Sequence, residues 1–289
     1  MNSLIFFLFS LKVAFCSCQF EKKRGGFRGA RAHYRVERVG QMPPAVSENS
    51  GLAVRPGRGS FWTHNDSGGK PMLYEVAASG KLLDSLPVPQ AVNTDWEALA
   101  ARDSTVLFVG DIGNNRNDRP TLTVYRVEVP SRTTTGVIRV RFARQTRFPA
   151  AKDTRNFDSE ALVYARDSLF LVSKNRSRPR RPAQLYGFPA TAGLHAIAPL
   201  DSVWTRSMVT DAALSPDART LALLTYGKLL LFDLPDGRVS LRHPRHCLRV
   251  PRGQTEALAF VGNTELVMTN ERGAIYRIRP ATNQRKTGR

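Results

Sequence analysis

The stretch DWEALA at residues 95–100 decides the fold of this chain, because close variants of it recur along the sequence. Each copy joins an acidic residue to a short run of small and apolar residues, and the acidic residues of successive copies lie 45 to 63 residues apart. A repeat of this length is typical of one four-stranded blade of a β-propeller. The other copies are SENSGLA at 47–53, DSEALV at 158–163, TDAAL at 210–214 and TEALAF at 255–260.

Further strands are predicted around every copy. A second strand follows each copy, and a third strand carries an aromatic residue: Tyr74, Tyr125, Tyr186, Phe232 or Tyr276. These runs are short, rich in β-branched and aromatic residues, and bounded by Gly, Asp, Asn and Pro, as strands are. A fourth strand precedes each copy; the one at 33–39 has no blade before it, and the last copy lacks a fourth strand. The sequence therefore predicts an all-β, five-bladed β-propeller over 33–280, whose N-terminal strand closes the last blade.

The start of the chain resembles a secretory leader, with an apolar core at 4–11. The motif FCSC at 15–18 resembles a loose bacterial lipobox, in which Cys18 becomes the lipidated first residue. An ordinary cleavage site, an uncleaved anchor and a cytosolic chain are the alternatives. We predict a leader at 1–18, a basic linker at 19–32 and a polar tail at 281–289. The protein is then exported to the periplasm, the outer membrane or the cell surface, and because only Cys247 remains, no intrachain disulfide is expected.

Composition and charge limit the function classes. A hydrophobic fraction of 42% with 23% charged residues excludes a disordered chain. The net charge of +19 comes mostly from arginines scattered along the chain, and no nucleic-acid-binding motif accompanies them. We therefore expect no specific nucleic-acid partner. An anionic membrane surface or polysaccharide fits an exported protein better, and we expect a monomer.

The repeat predicts an acidic ring at one mouth of the central channel. Since neighbouring strands of a blade are antiparallel, the start of each inner strand and the end of each second strand lie on the same face. The predicted metal ligands at this mouth are Glu48, Glu97, Glu160, Asp211 and Glu256. The predicted ligand-binding residues beside them are Asp66, Asp111, Asn114, Lys174, Tyr226 and Glu271.

Such a ring needs compensation, because like charges repel. The carboxylates must hold protons, pair with basic side chains or bind a cation. Oxygen ligands favour a hard ion, Ca²⁺ or Mg²⁺, over zinc. In the alternative, each carboxylate accepts hydrogen bonds from backbone amides of a neighbouring blade and no ion is needed.

The segments ENSGLA, DWEALA and DSEAL resemble inner strands of calcium-associated propellers. They are similar to those of the SdiA-regulated and SMP-30/gluconolactonase-like group, and to those of the five-bladed calcium-dependent apyrases. The resemblance implies a Ca²⁺ ion in the channel, faced by Glu48, Glu97, Glu160 and Glu256. In the fourth copy Asp211 stands in place of Glu, which departs from the pattern.

Two functions remain open from the sequence. The first is a binding module of the cell envelope, whose rim takes a small molecule or an envelope partner. The alternative is a Ca²⁺-dependent hydrolase of the lactonase, esterase or apyrase type, with His64 as general base. The sequence contains no G-x-S-x-G elbow, H-E-x-x-H helix or phosphate loop, which excludes the mechanisms that depend on them.

Overall fold

The computed structural model describes residues 17–30, 33–251 and 254–281. The predicted leader up to residue 16 and the tail beyond residue 281 lie outside the described residues. The helix is α1 (Gln19–Gly25). The strands are β1 (Arg28–Gly29), β2 (Tyr34–Gln41), β3 (Asn49–Arg55), β4 (Ser60–Asn65), β5 (Met72–Ala77), β6 (Leu82–Pro87), β7 (Trp96–Ala101), β8 (Val106–Asp111), β9 (Leu122–Glu128), β10 (Thr133–Phe142), β11 (Ser159–Ala165), β12 (Ser168–Ser173), β13 (Ala183–Pro189), β14 (Gly193–Ile197), β15 (Pro199–Val203), β16 (Val209–Leu214), β17 (Thr220–Thr225), β18 (Lys228–Asp233), β19 (Pro244–Arg249), β20 (Thr255–Phe260), β21 (Leu266–Asn270) and β22 (Ala274–Pro280).

The strands form five sheets arranged in a ring, which confirms the five-bladed β-propeller. Blade 1 is β3-β4-β5-β6, and blade 2 is β7-β8-β9-β10 with β14 added in parallel to its outer edge. Blade 3 is β11-β12-β13-β15, blade 4 is β16-β17-β18-β19 with β1, and blade 5 is β20-β21-β22 with β2. The inner strands β3, β7, β11, β16 and β20 pack side by side and close the ring.

The predicted closure of the last blade is confirmed. Strand β2 pairs antiparallel with β22, so that Tyr34 lies opposite Pro280 and Gln41 opposite Ala274. The pairing joins the start of the propeller to its end, and it covers an edge that would otherwise expose unpaired backbone groups. No helix among the described residues has the length and apolar character needed to cross a bilayer.

Apolar side chains between neighbouring blades form the core. Five clusters of buried residues lie in the five spaces between blades. Strand β4 shows how the pattern arises, because successive side chains of a strand point to opposite faces. Phe61 packs towards blade 5 and Trp62 towards blade 2, and each is 2% exposed. Burial of one such side chain contributes roughly 1.5–3 kcal/mol.

The segment predicted as a basic linker is folded where the structure describes it. Helix α1 is capped at its C-terminal end by Gly26, which has a left-handed backbone (φ 72°), and Phe27 is buried against blade 4. Cys18 forms a disulfide with Cys247. The expectation of no intrachain disulfide is therefore wrong, because it counted Cys18 as part of a leader or a lipid anchor.

Candidate ligand and cation site at the channel mouth

Backbone hydrogen bonds show which residues of the five blades are equivalent. In each blade an amide just after the second strand donates to the carbonyl just before the inner strand, over 2.8 to 3.3 Å. The accepting residues are Glu48, Asp95, Asp158, Met208 and Gln254. The residues two positions further along are Ser50, Glu97, Glu160, Thr210 and Glu256.

The predicted alignment of the acidic residues is therefore wrong in two blades. Glu48 corresponds to Asp95 and not to Glu97, and Asp211 lies one residue beyond its expected position. The acids form two levels at the mouth. An outer level holds Glu48, Asp95 and Asp158, and an inner level holds Glu97, Glu160 and Glu256.

β-Bulges present the inner level to the channel. In blades 2, 3 and 5 the ladder between the first two strands skips one residue, and that residue is Glu97, Glu160 or Glu256. A bulged residue has no partner in the ladder, and its side chain points in a different direction from its neighbours. Blades 2, 3 and 5 thus each place a glutamate at an equivalent position of the mouth.

The mouth opens into a cavity of about 290 Å³. Its lining includes eight of the residues predicted from the sequence: Glu48, Asp66, Glu97, Glu160, Lys174, Tyr226, Glu256 and Glu271. Asn49, Ser50, Ser67, Asn115 and Gln254 complete it. Among these lining residues, six carboxylates face a single ammonium, although the chain as a whole carries a net charge of +19.

Lys174 is the cation within this acidic cavity. Its Nζ contacts Glu160 Oε1 and lies 5.2 Å from the centre of the Tyr226 ring. Burial alone would lower the pKa of Lys174, but the carboxylate of Glu160, with those of Glu97 and Glu256, raises it well above its usual value. Lys174 therefore stays charged and acts as an internal counter-ion.

Three carboxylates form a second group beside Lys174. One oxygen from each of Asp66, Asp95 and Glu97 lies within 4.8 Å of the other two. Burial, together with the charges of Asp66 and Asp158, raises the pKa of Asp95 to about 6, and burial also raises the pKa of Asp66 and of Glu97. Such a set of hard oxygen donors suits Ca²⁺, which takes six to eight oxygen ligands.

Gly113 makes room for Asp95. A Cβ atom at position 113 would lie 2.2 Å from Asp95 Oδ2, far inside van der Waals contact. The Gly113 amide also donates to the Asp95 carbonyl at 3.1 Å. The loop after β8 therefore needs glycine at this position to hold Asp95 against Asp66 and Glu97.

Burial also raises the pKa values of the other two carboxyls of the inner level, Glu256 and Glu160. Burial raises the pKa of Glu256 to about 7, with Lys174 opposing the shift, and Gln254 Nε2 donates to Glu256 Oε1 at 3.3 Å. Burial raises the pKa of Glu160 as well, and Lys174 opposes it. Burial therefore favours the protonated form of both carboxyls, and the ammonium of Lys174 favours the anionic form.

Several predicted residues lie outside the cavity lining and contact backbone groups or basic side chains. Asp211 accepts the amide of Leu258 at 2.6 Å and so bridges blades 4 and 5. Asp111 pairs with Arg119 at 2.8 Å and accepts the amide of Asp95. The contact of Asp211 matches the alternative in which a carboxylate accepts backbone amides of a neighbouring blade, whereas the contacts of Asp111 lie within blade 2.

Asn114 also joins segments of neighbouring blades. Its Nδ2 donates to the carbonyl of Phe157 at 2.9 Å, and its amide donates to Asp158 Oδ1 at 2.7 Å. Asp158 is fully buried and pairs with Arg176. These contacts position the loop between β8 and β9 at the rim, and Asn114 itself is 1% exposed.

His64 lies away from the cavity lining. Its ring packs edge-on against Trp96, with the ring centres 5.5 Å apart, and the side chain is fully buried between blades 1 and 2. Burial lowers the pKa of His64 to about 4. The structure thus brings most of the predicted acids together but does not bring His64 to them.

Asp95 is a candidate ligand that the sequence analysis missed. The pattern D-x-E, present at 95–97 and 158–160, carries the signal, because it places one acid on each level. In blade 1 the outer-level position is Glu48 but the inner-level position is Ser50, and in blade 4 neither position is acidic. An alignment that takes one acid from each copy therefore places acids of the two levels at the same position.

Comparisons with known proteins add no family. No protein-family model matches the chain, and no curated protein matches it. Among solved structures, it is similar to a structural genomics protein of unknown function from Bacteroides thetaiotaomicron. The two are 9% identical, the match covers 86% of this chain and 76% of that chain, and the TM-score is 0.46. The chain is a five-bladed β-propeller on the evidence of its own five sheets.

Proposed function

We propose that this β-propeller is an exported binding module that holds a Ca²⁺ ion and a small polar ligand at its acidic channel mouth. The observation that carries the proposal is the approach of one oxygen each from Asp66, Asp95 and Glu97 to within 4.8 Å of one another. Two of the three, Asp66 and Glu97, line the cavity. Two carboxylates at this distance repel by about 1 kcal/mol in water and roughly 3 to 4 kcal/mol at an effective dielectric of 20. A divalent cation removes this repulsion.

Protons and Ca²⁺ compete for the same oxygens. The pKa of Asp95 is raised to about 6, and that of Glu256, which lines the cavity, is raised to about 7. Above these values the mouth is anionic and attracts a cation. Below them it holds protons instead. Binding of Ca²⁺ at neutral pH therefore releases protons and strengthens as the pH rises.

The cavity next to these carboxylates suits a small hydroxylated ligand. Its volume is about 290 Å³, close to the lower end of small-molecule sites. The amides of Asn115 and Gln254 and the hydroxyl of Ser50 supply neutral donors and acceptors, and Tyr226 supplies an aromatic surface. Sugars and other polyols satisfy such a lining and also provide oxygens to Ca²⁺.

Binding is preferred over hydrolysis because His64, the predicted base of the hydrolase alternative, is buried against Trp96 and does not line the cavity. Hydrolysis of lactone, phosphotriester and nucleotide substrates with and without a chelator separates the two functions. Chelator-sensitive turnover that is lost in His64→Ala would overturn the binding proposal.

The test of the cation site is calorimetric titration of chelator-treated protein with CaCl₂ and MgCl₂ at pH 7.5. We expect one Ca²⁺ site, weakened at least tenfold in Asp95→Asn and Glu97→Gln. Glu37→Gln is the matched control, since Glu37 lies on β2, the outermost strand of blade 5, and pairs there with Arg279. The proposal fails if wild-type protein gives no binding heat, or if all three variants bind equally.

A further inference from the structure

Residues 18–30 complete the outer edge of blade 4, and we call them the N-terminal clasp. Strand β1 pairs in parallel with β19, so that Gly29 lies opposite Cys247, and the amide of Ala30 donates to the Cys247 carbonyl at 3.2 Å. Phe27 is 3% exposed, and its ring centre lies 5.1 Å from that of Phe232 in an edge-on contact. The clasp is thus part of the folded blade.

Two links between side chains hold the clasp in place. The first is the disulfide between Cys18 and Cys247, whose Cα atoms are 5.9 Å apart, within the usual range for a disulfide. The second is the ion pair between Glu21 and Lys228, at 2.5 Å, in which each side chain is 1% exposed. Glu21 also accepts the amide of Arg206 at 3.0 Å.

We propose that Cys18 is a disulfide half-cystine of an exported protein and not a lipid-bearing residue. One sulfur cannot form both a thioether to a lipid and a disulfide to Cys247. The N-terminal clasp packs on blade 4 and so holds Cys18 next to Cys247. This placement is evidence against the lipobox interpretation of FCSC at 15–18. Disulfides of this kind persist in oxidising compartments, which favours secretion of a soluble chain over lipid anchoring through Cys18.

Formation of the Cys18–Cys247 bond requires a disulfide-bearing oxidant. The Cys18 and Cys247 thiols together lose two electrons and two protons as the S–S bond forms. A thiol oxidoreductase takes them up through a mixed disulfide, and its own disulfide is reduced to two thiols. The clasp then covers the edge of β19, and Glu21 stays next to the buried ammonium of Lys228.

Mass spectrometry of full-length protein, produced with export and isolated with and without reductant, tests the proposal. We expect one crosslinked peptide pair containing Cys18 and Cys247, with no lipid mass on Cys18. A diacylglyceryl group on Cys18, or alkylation of both thiols in native protein, would overturn it.

Thermal unfolding gives an independent measurement. Reduction, Cys18→Ser and Cys247→Ser should each lower the Tm by roughly 5–15 °C, and the double variant should fall no further than either single variant. The double variant is the control for reduction, because adding reductant to it should leave the Tm unchanged. Additive losses in the double variant would show that the two cysteines act separately, against the proposal.

Discussion

The ammonium of Lys174 contacts the carboxylate of Glu160 inside the acidic mouth, and both residues are at most 5% exposed. The pair explains how six carboxylates can line one cavity of a folded protein. Lys174 neutralises part of the inner level, and it lies beside the group of Asp66, Asp95 and Glu97 that we propose as the Ca²⁺ site.

Replacement of Lys174 by Met removes the internal counter-ion. Because Glu160 then remains buried without its partner, we expect a loss of about 3–5 kcal/mol in the free energy of unfolding at pH 9.5, where the carboxyl must ionise or hold its proton at a cost. The loss should shrink at pH 6, because burial raises the pKa of Glu160 to about 8 and the carboxyl is protonated there. Urea unfolding at the two pH values measures it, and the double variant Lys174→Met/Glu160→Gln should recover part of the stability. Equal losses at both pH values would contradict the role of Lys174.

Stability without divalent cations should fall as the pH rises from about 5 to 8. Burial raises the folded-state pKa of Asp95 to about 6 and of Glu256 to about 7, above their unfolded values. Such groups favour folding while protonated, and this contribution disappears as the pH passes the folded pKa. The combined change is on the order of 1–3 kcal/mol after allowance for solvent screening at Asp95.

Chemical unfolding across this pH range, in the presence of chelator, measures the change. Asp95→Asn and Glu256→Gln should each flatten the profile, and saturating Ca²⁺ should restore stability at pH 8. A wild-type profile that rises with pH would show that these carboxylates are stabilised as anions.

Gly113→Ala should weaken Ca²⁺ binding at least tenfold, because the added methyl group displaces the carboxylate of Asp95. Overpacking of this kind costs about 1–3 kcal/mol of stability. Gly262→Ala is the matched control, since a Cβ there meets no atom within 4 Å. Calorimetric titration with CaCl₂ compares the two. An unchanged affinity for Ca²⁺ in Gly113→Ala would indicate that Asp95 is not a ligand of the ion.

Glu21→Ala should destabilise the protein by about 3–5 kcal/mol even with the disulfide intact, because the buried ammonium of Lys228 loses its partner. Glu21→Gln combined with Lys228→Met should cost less, since no unpaired charge remains. Denaturant unfolding of oxidised protein measures both. If Glu21→Ala is no less stable than the double variant Glu21→Gln/Lys228→Met, the ion pair contributes little to the stability of the N-terminal clasp.

The sequence predicts the blades well, because every blade repeats the same order of strands and each strand has a period of two. It predicts the acidic mouth only in part. The β-bulges at Glu97, Glu160 and Glu256 change the register by one residue, and a single sequence does not show where a ladder skips a residue. As a result Glu48 and Asp211 are aligned with the wrong residues, and Asp95 is overlooked.

The N-terminal clasp could not be predicted by the same reasoning. Cys18 and Cys247 are 229 residues apart, and no local pattern links them. Cys18 lies just after a leader-like apolar segment, and the sequence alone therefore favours a lipobox interpretation. Tertiary contacts of the N-terminal clasp bring the two cysteines together: the pairing of β1 with β19, the packing of Phe27 on Phe232 and the ion pair of Glu21 with Lys228.

A crystal structure of the protein grown with CaCl₂, with anomalous difference density for the ion, tests the central claim most directly. The account predicts one peak within about 2.3–2.6 Å of a carboxylate oxygen from each of Asp66, Asp95 and Glu97. No peak at the mouth, or a peak whose ligands are residues outside this group, would contradict it.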